Sequence, residues 1–185
     1  TGDRGNLDRI ILLLNAGAGV TAFENNEVDI TMVGGIPDVR YCLRTPGLRQ
    51  ALVHAPTSTI HYLMPLKTQH PLMSDARFRR AMTIGADISK IVRTVAEDIY
   101  EPMTDFVPPV MSQATGRGLE FDPVEARRLL AEAEEAVGAK CPVLNILIPS
   151  QGPPIITILA GMKEEWERNL GIRVNLDNME VGVWA

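Results

Sequence analysis

The stretch PVLNILIPSQGPPIITILAGMKEEWERNLGIRVNLDN, residues 142–178, decides the fold class of this chain. Its first part, PVLNILIP, is a short apolar run typical of a strand. The turn SQGPP leads into a predicted helix, and Gly171 marks the end of that helix. Its apolar residues recur at helical spacing: Ile155, Leu159, Met162, Trp166 and Leu170. The segment IRVNLDN alternates apolar and polar residues, as does a strand with one face in water. The order strand, helix, strand predicts an α/β fold.

The preceding sequence continues this alternation. Strands are predicted at RIILLLN (9–15) and EVDITMV (27–33), and extended segments at ALVHAP (51–56) and STIHYLMPL (58–66). Short helices are predicted at VTAFENN and DVRYCLR, with the turn TPG after the second. These elements predict a mixed sheet with helices on at least one face.

Three arginines stand within four positions in SDARFRRAMTIGADISKIV, residues 74–92. Ser74 or Asp75 can cap a helix there. Phe78, Ala81, Met82 and Gly85 form its apolar stripe, so that Arg77, Arg79 and Arg80 fall on or beside the solvated face. We therefore predict a surface helix and not a phosphate-binding patch, because no aromatic residue or Gly-rich loop accompanies the arginines. A second helix begins at Asp87 or Ser89.

The segment FDPVEARRLLAEAEEAVG carries the clearest helix signals in the chain. Asp122 is the predicted N-cap, Pro123 fits the first turn, and Glu125 completes a capping box. Gly138 is the predicted end of the helix. Its inner stripe consists of Ala126, Leu129, Leu130, Ala133 and Val137.

Composition bounds the function classes. The chain has 185 residues, 45% of them hydrophobic, which suffices for a sizeable core. The net charge of −5 argues against nucleic acid as a partner. No apolar run approaches the roughly 20 residues that span a bilayer.

The two cysteines, Cys42 and Cys141, form either one disulfide or two free thiols. Neither end of the chain has the features of a natural terminus, so we expect both to lie inside a longer protein.

Signals for chemistry are weak. The three histidines, His54, His61 and His70, lie seven and nine residues apart, a spacing that does not favour a metal site. Neither cysteine has an obvious general base nearby, and no nucleophile elbow is present. The glycines of AGAG (16–19) lack the rest of a nucleotide-binding fingerprint. We therefore predict no enzyme activity, no catalytic residue, no metal and no cofactor.

Six segments occur in an order that resembles the family 5 extracellular solute-binding proteins of ABC transporters, the oligopeptide-, dipeptide- and nickel-binding group. They are NNEVDI, HYLMPLKTQHPLMSDARFRRAMTIGADISKIV, IYEPMTDFVPPV, FDPVEARRLLAEAEEAVG, LNILIPS and LAGMKEEWERNLGIRVNL. Arg77 matches the first basic position of the family's Asp-x-Arg-Val-Arg helix. The family's asparagine before its Pro-Phe step and the glycine after its Leu-Leu-Ala-Glu-Ala segment have no counterpart here.

The resemblance implies a periplasmic-binding-protein-like lobe of type II. Residues 1–185 would then form a single lobe, the second of two, truncated at both ends. It would capture a peptide or a similar small solute by lobe closure. The complete protein would be periplasmic or lipid-anchored outside the cytoplasm and would deliver the solute to a membrane permease. The isolated lobe could form an artificial dimer through its uncovered face. In the alternative, the same lobe is the sensor domain of a transcriptional regulator.

Ligand contacts are predicted at two loops, each of which follows a predicted strand. The first is Val33, Gly34 and Gly35, where glycine lets backbone amides approach a ligand. The second is Ser150, Gln151 and Gly152, before a helix whose first amides favour a carboxylate or polar group. Tyr62 is a further candidate. In the alternative interpretation, the two loops are ordinary turns and Tyr62 is a buried tyrosine of a strand.

Overall fold

The computed structural model describes residues 7–14, 19–55, 60–66, 70–96, 100–103, 106–108, 110–111, 118–149 and 153–179. The chain divides into two compact units, Thr1–Leu52 and Val53–Ala185. In the first unit lie α1 (Gly19–Glu24), α2 (Ile36–Arg44) and α3 (Pro46–Ala51). In the second lie a 3₁₀ turn (Pro71–Ser74), α4 (Ala76–Ile84), α5 (Ile88–Ala96), α6 (Pro123–Val137), β1 (Leu144–Pro149), α7 (Pro153–Leu170) and β2 (Val174–Met179). The prediction that residues 1–185 form one lobe stays a prediction.

The sheet of the second unit is formed by the two strands predicted in residues 142–178, and its second strand ends one residue later, at Met179. β1 and β2 pair in parallel, with Leu144 opposite Val174, and α7 connects them as a crossover helix. One face of the sheet joins the core through Leu144, Ile146, Ile148, Val174 and Leu176. On the other face the Asn175 side-chain amide donates to Asn145 Oδ1 at 2.9 Å. The predicted α/β class is confirmed, and among the described residues the pairing is parallel.

The strands predicted in the first unit are wrong. Residues 9–14 and 27–33 have no regular secondary structure. Ile30 is 88% exposed and Met32 93% exposed, so their apolar side chains are not part of the core of this unit. An alternating or apolar run becomes a strand only where a neighbouring strand supplies hydrogen bonds and a packed face, and the structure describes no such neighbour here.

The connection after α2 was also predicted wrongly. A turn was expected at TPG, but Pro46 and Gly47 belong to helix α3 and Thr45 is its N-cap. Ala51, the first residue of the extended segment expected at 51–56, also belongs to α3. Pro46 occupies its first turn, where the missing amide hydrogen costs nothing. Leu48 is buried, so the helix places one apolar residue inward. Residues 52–55 and 60–66 have no regular secondary structure.

The arginine-rich segment is a surface helix, as predicted. Asp75 caps α4 by accepting from the Arg77 amide at 2.8 Å. The Arg77 guanidinium donates to both carboxylate oxygens of Asp75, at 3.1 and 2.7 Å. Arg79 donates to the Met73 carbonyl at 3.1 Å. Two of the three arginines therefore have local structural partners, while Phe78 and Ala81 are buried.

The Asp75–Arg77 pair predicts a pH dependence of stability. The hydrogen bond from Arg77 lowers the pKa of Asp75 to about 2, whereas an unfolded Asp titrates near about 3.9. A carboxyl whose pKa is lowered on folding stabilises the fold above its unfolded pKa and loses that contribution as the pH falls. We expect the free energy of unfolding, measured by urea titration, to fall between about pH 4 and pH 2.

Asp75→Asn, which keeps a capping side chain, should show a smaller fall in the free energy of unfolding than the exposed control Asp177→Asn. Equal falls in both variants would contradict the prediction.

Helix α6 has the predicted bounds and half of the predicted capping box. Asp122 Oδ1 accepts from the amides of Val124 and Glu125, at 3.1 and 2.9 Å. The other hydrogen bond of a capping box, from the Asp122 amide to the Glu125 carboxylate, is not formed. The Asp122 amide donates to the Ile84 carbonyl at 2.9 Å instead, and the Glu125 carboxylate binds Arg128. The amide that a capping box would use locally thus joins α6 to the end of α4.

The turn between α4 and α5, Met82–Asp87, is held by side chains of α7. The buried Trp166 indole donates to the Met82 carbonyl at 2.7 Å, and the Asn169 amide donates to the Gly85 carbonyl at 2.9 Å. These carbonyls lie at the end of α4, where no intrahelical donor remains. Helix α7 therefore completes the hydrogen bonding of α4.

Helix α7 does the same for the start of α5. Glu165 is only 7% exposed, and its carboxylate accepts from the Asp87 amide at 2.6 Å and from Arg168 at 2.9 Å. The Asp87 side chain in turn accepts from the Lys90 amide at 2.9 Å, as expected of a residue that starts the helix. One turn of α7 thus fixes both helix ends that meet at Met82–Asp87. In the described part of the chain, no helix combines the length and apolar character needed to cross a membrane.

Candidate ligand-binding segments

The glycine loop of the first unit leads directly into a helix. Gly35 is the N-cap of α2, with extended backbone (φ −110°, ψ 144°) and no side chain to cap the first amides. Gly34 is exposed, and a Cβ atom added there would meet nothing within 4 Å. Asp38 lies in the first turn, where its negative charge suits the helix dipole. The loop has open backbone at Gly34, but the acidic first turn disfavours an anionic group at the start of α2.

The second predicted loop, Ser150–Gly152, lies outside the described residues. Its two flanks are described: β1 ends at Pro149 and α7 begins at Pro153. In the chain, these residues follow the carboxyl end of a parallel strand and precede its crossover helix. In open α/β sheets, ligands bind beyond the carboxyl ends of the strands.

Tyr62 is exposed and is not the buried strand tyrosine of the alternative interpretation. It is 63% exposed, and its ring meets that of Phe106 edge to face, with centroids 5.7 Å apart. His61 and Tyr100 form a similar edge contact at 6.4 Å. The aromatic pairs join segment 60–66 to the segment around residue 100, two parts of the chain whose contact the sequence did not indicate.

Sequence reasoning also missed a groove of about 450 Å³ at the amino ends of the two strands. It lies where α6 and α7 end, and basic and acidic side chains line it together with Cys141: Arg127, Glu134, Lys140 and Arg173. Arg127 donates to the Asn169 carbonyl at 2.9 Å, and Lys140 binds Glu134 at 2.6 Å. Basic side chains at helix C-termini compensate the helix dipole, so this groove has a structural explanation.

Neither cysteine has the environment of a nucleophile. Both are free thiols, Cys42 in the first unit and Cys141 in the second. Burial, with a smaller contribution from Glu134, raises the pKa of Cys141 to about 11, and burial also raises the pKa of Cys42. A thiol with a raised pKa is protonated at neutral pH and reacts slowly. Of the two states left open by the sequence, the structure has the thiols.

The described residues contain no group of three or more His, Cys, Asp or Glu side chains placed to hold a metal ion. His70 has a structural partner instead, because its Nδ1 accepts from the Leu72 amide at 3.3 Å and so caps the 3₁₀ turn. His54 and His61 are exposed.

The chain matches the family model for bacterial extracellular solute-binding proteins, family 5, middle, over residues 1–184. It is 28% identical over 182 residues to a di/tripeptide-binding protein 2 from Pseudomonas aeruginosa (strain UCBPP-PA14), covering 95% of this chain and 33% of that protein. It is 27% identical over 135 residues to the periplasmic oligopeptide-binding protein OppA from Escherichia coli (strain K12), covering 69% of this chain and 24% of that protein. The chain thus spans a third or less of the curated relatives it matches.

A solved structure confirms the fold. The murein tripeptide binding protein MppA of Escherichia coli superposes with a TM-score of 0.67 at 19% identity, covering 89% of this chain and 33% of that one. The family resemblance predicted from the order of the six segments is confirmed by the match to the family model.

Proposed function

We propose that this chain, which belongs to the bacterial extracellular solute-binding proteins of family 5, is a ligand-binding lobe of the substrate-binding protein of an ABC importer. The observation that carries the proposal is the family match over residues 1–184, which includes both units of the chain. Members of this family are transport binding proteins and not enzymes. The prediction that the chain is not an enzyme is confirmed by its family.

The proposed ligand is a peptide or a similar small solute. The two curated relatives are named for di/tripeptide and oligopeptide binding. The chain would take part in capture by lobe closure, in which the closed form is stabilised by contacts that the open form lacks. The complete protein would deliver the solute to a membrane permease and would be periplasmic or lipid-anchored outside the cytoplasm.

We assign ligand contacts to Val33, Gly34 and Gly35 in the first unit. The open backbone at Gly34 supports this assignment, because an exposed glycine lets a ligand approach main-chain donors and acceptors closely. Asp38 in the first turn favours a cationic or neutral part of the solute over a carboxylate.

In the second unit we assign contacts to Ser150, Gln151 and Gly152 and to Tyr62. The position of residues 150–152 between β1 and α7 supports the first group. The exposed ring of Tyr62, next to Phe106, supports the second, because an aromatic face offers apolar contact area at a low cost in side-chain entropy.

Exposed apolar side chains support the proposal that the chain works as part of a larger assembly. Residues 10–14 are five consecutive large apolar residues whose side chains are each more than half exposed: Ile10, Ile11, Leu12, Leu13 and Leu14. A contiguous exposed apolar segment is typical of a surface that another part of the protein or a partner covers. In isolation the same segment favours self-association, which light scattering over a range of concentrations would detect as a rising mass.

Calorimetric titration of the complete protein with di-, tri- and pentapeptides, and separately with Ni²⁺, tests the function. We expect binding of at least one peptide class and only weak binding by the chain alone, because closure contacts are absent there. No heat with any peptide or with Ni²⁺ would overturn the transport proposal. A ligand-binding complete protein with a DNA-binding domain at its amino end would favour the regulator alternative.

A matched pair of variants tests the glycine loop. A Cβ atom added at Gly34 or at Gly47 meets nothing within 4 Å, so the two positions are matched in the space around a new Cβ. We expect Gly34→Val to weaken peptide binding about tenfold or more, because the new side chain keeps the ligand from the backbone. Gly47→Val should bind as the wild type does. Equal affinities of the two variants would remove Gly34 from the site.

A further inference from the structure

The groove at the amino ends of β1 and β2 has the size of a small-molecule site. Its volume is about 450 Å³, within the range of about 300–1,000 Å³ that is typical of ligand pockets. The carboxyl ends of α6 and α7 and the residues just before β1 and β2 form its walls. All these elements belong to the second unit, so the groove is built by one unit alone.

Part of the lining of the groove is apolar and fixed in place. Leu130 and Ile172 line it, are only 6% and 7% exposed, and belong to the hydrophobic core of the unit. Core residues keep their positions because they are packed against their neighbours. Val143 also lines the groove and is 46% exposed. An apolar part of a ligand would therefore meet a preformed surface and would remove apolar area from water.

The groove carries an excess of positive charge, although the net charge of the chain is −5. Its charged lining residues are three basic side chains, Arg127, Lys140 and Arg173, and one carboxylate, Glu134, which gives 3 − 1 = +2. Glu134 accepts from Lys140 at 2.6 Å and from the Cys141 amide at 2.8 Å. The Lys140–Glu134 pair cancels, so the excess charge belongs to the two arginines.

The helix ends beside the groove do not neutralise these arginines. Backbone amides already satisfy carbonyls there, because Gly138 donates to two carbonyls of α6 and Gly171 donates to one of α7. Arg127 gives one N–H to a carbonyl of α7 at 2.9 Å, which leaves its charge and its other donors unused. Arg173 lies beyond the end of α7, and both arginines are exposed. Their guanidinium groups are thus available to an anion.

We propose that this groove is a second binding site, which takes an organic carboxylate with a short apolar chain. A guanidinium group binds a carboxylate through two parallel hydrogen bonds, a geometry that an ammonium group cannot offer. The carboxylate would bind Arg127 and Arg173, and the apolar chain would lie on Leu130, Val143 and Ile172.

The proposed site is separate from the segments assigned to the solute. It lies at the amino ends of the strands, whereas solute contacts are proposed beyond their carboxyl ends. The strands are six residues long, so at about 3.3 Å per residue the two ends are about 17 Å apart. Occupation of the groove leaves the other edge of the sheet free, and the inference does not depend on the proposed function.

Calorimetric titration of the complete protein with octanoate tests the chemistry of the site. Acetate has the same carboxylate without the apolar chain, and octanamide has the same chain without the charge. We expect octanoate to bind and both controls to bind at least about tenfold more weakly. No detectable binding of octanoate would overturn the proposal. Equal binding of acetate or of octanamide would also overturn it.

A matched pair of arginine variants tests the location. Arg173 lines the groove, while Arg93 is an exposed arginine in the last turn of α5 that does not. Both are surface residues, so neither substitution should unfold the protein. We expect Arg173→Gln to bind octanoate about tenfold more weakly and Arg93→Gln to bind it as the wild type does. Equal affinities of the two variants would show that the anion binds elsewhere or responds only to the general charge of the surface.

Competition with peptide separates this site from the solute site. The peptide that binds the wild type most tightly, added in excess, should leave the octanoate affinity unchanged, and displacement of octanoate would overturn the proposal. If the wild type binds no peptide, the proposed function fails and the octanoate titrations alone decide about the groove. If it binds peptide but no octanoate, the groove is not a site and the proposed function stands.

Discussion

Replacing Trp166 with alanine is expected to lower the free energy of unfolding of the chain by about 3–5 kcal/mol. The side chain is 2% exposed and is among the largest fully buried groups of the protein. Its removal leaves a cavity between α7 and the end of α4, and it also leaves the Met82 carbonyl without its donor. Urea unfolding followed by circular dichroism measures the effect.

Trp166→Phe separates the contribution of the buried apolar side chain from that of the indole hydrogen bond. It keeps most of the buried apolar area but lacks the indole N–H, so we expect a loss of about 1–3 kcal/mol from the unpaired carbonyl and imperfect packing. The exposed neighbour Glu164 provides the control, and Glu164→Ala should change stability by less than about 0.5 kcal/mol. A loss in Trp166→Ala no larger than that of the control would show that α7 is not docked on this turn.

Replacing Glu165 with alanine is expected to cost about 2–3 kcal/mol, a large effect for a carboxylate on a helix. Glu165 is nine-tenths buried and accepts from the Asp87 amide at 2.6 Å. Without it, that partly buried amide at the start of α5 loses its acceptor and has no intrahelical partner. The Arg168 side chain is exposed, so the loss of this ion pair adds little.

Glu165→Gln is the matched variant, because its side-chain oxygen can still accept from Asp87. We expect it to retain more than half of the stability that Glu165→Ala loses, measured in the same urea experiment. Amide hydrogen exchange of the first turn of α5 should rise in Glu165→Ala and stay near the wild-type rate in Glu165→Gln. Equal exchange in the two variants would show that the hydrogen bond to Asp87 does not stabilise α5.

The elements that could be predicted from sequence are those with local signals. Helix α6 begins after Asp122 and ends at Gly138, because a capping carboxylate and a glycine at φ 71° act within a few residues of the chain. Helix α7 and its two strands were predicted from apolar periodicity bounded by proline and glycine. The helix at Asp75 was predicted from its cap and its buried stripe.

The predicted strands at 9–15 and 27–33 show where local signals fail. Their composition suits a strand, but a strand exists only through hydrogen bonds to another strand, which a single segment does not specify. Helix α3 replaced an expected turn for a similar reason, since burial of Leu48 favours a helical turn that the sequence Thr-Pro-Gly alone does not.

The candidate site was predictable only in part. The glycines at 34 and 35 and the position of residues 150–152 before α7 follow from chain order, and their assignment to the ligand stays a proposal. The contact of Tyr62 with Phe106 joins residues 44 positions apart, and nothing in either segment indicates the other.

By itself the sequence determined the family, the α/β class and the ends of the helices that carry their own caps, because each of these depends on residues close together in the chain or on the order of segments. Only the tertiary structure decided how α7 is docked and what completes the ends of α4 and α5. Trp166 and Met82 are 84 residues apart, as are Asn169 and Gly85. Such bonds depend on three-dimensional placement, since a backbone carbonyl or amide has the same chemistry at every position and only folding selects its partner.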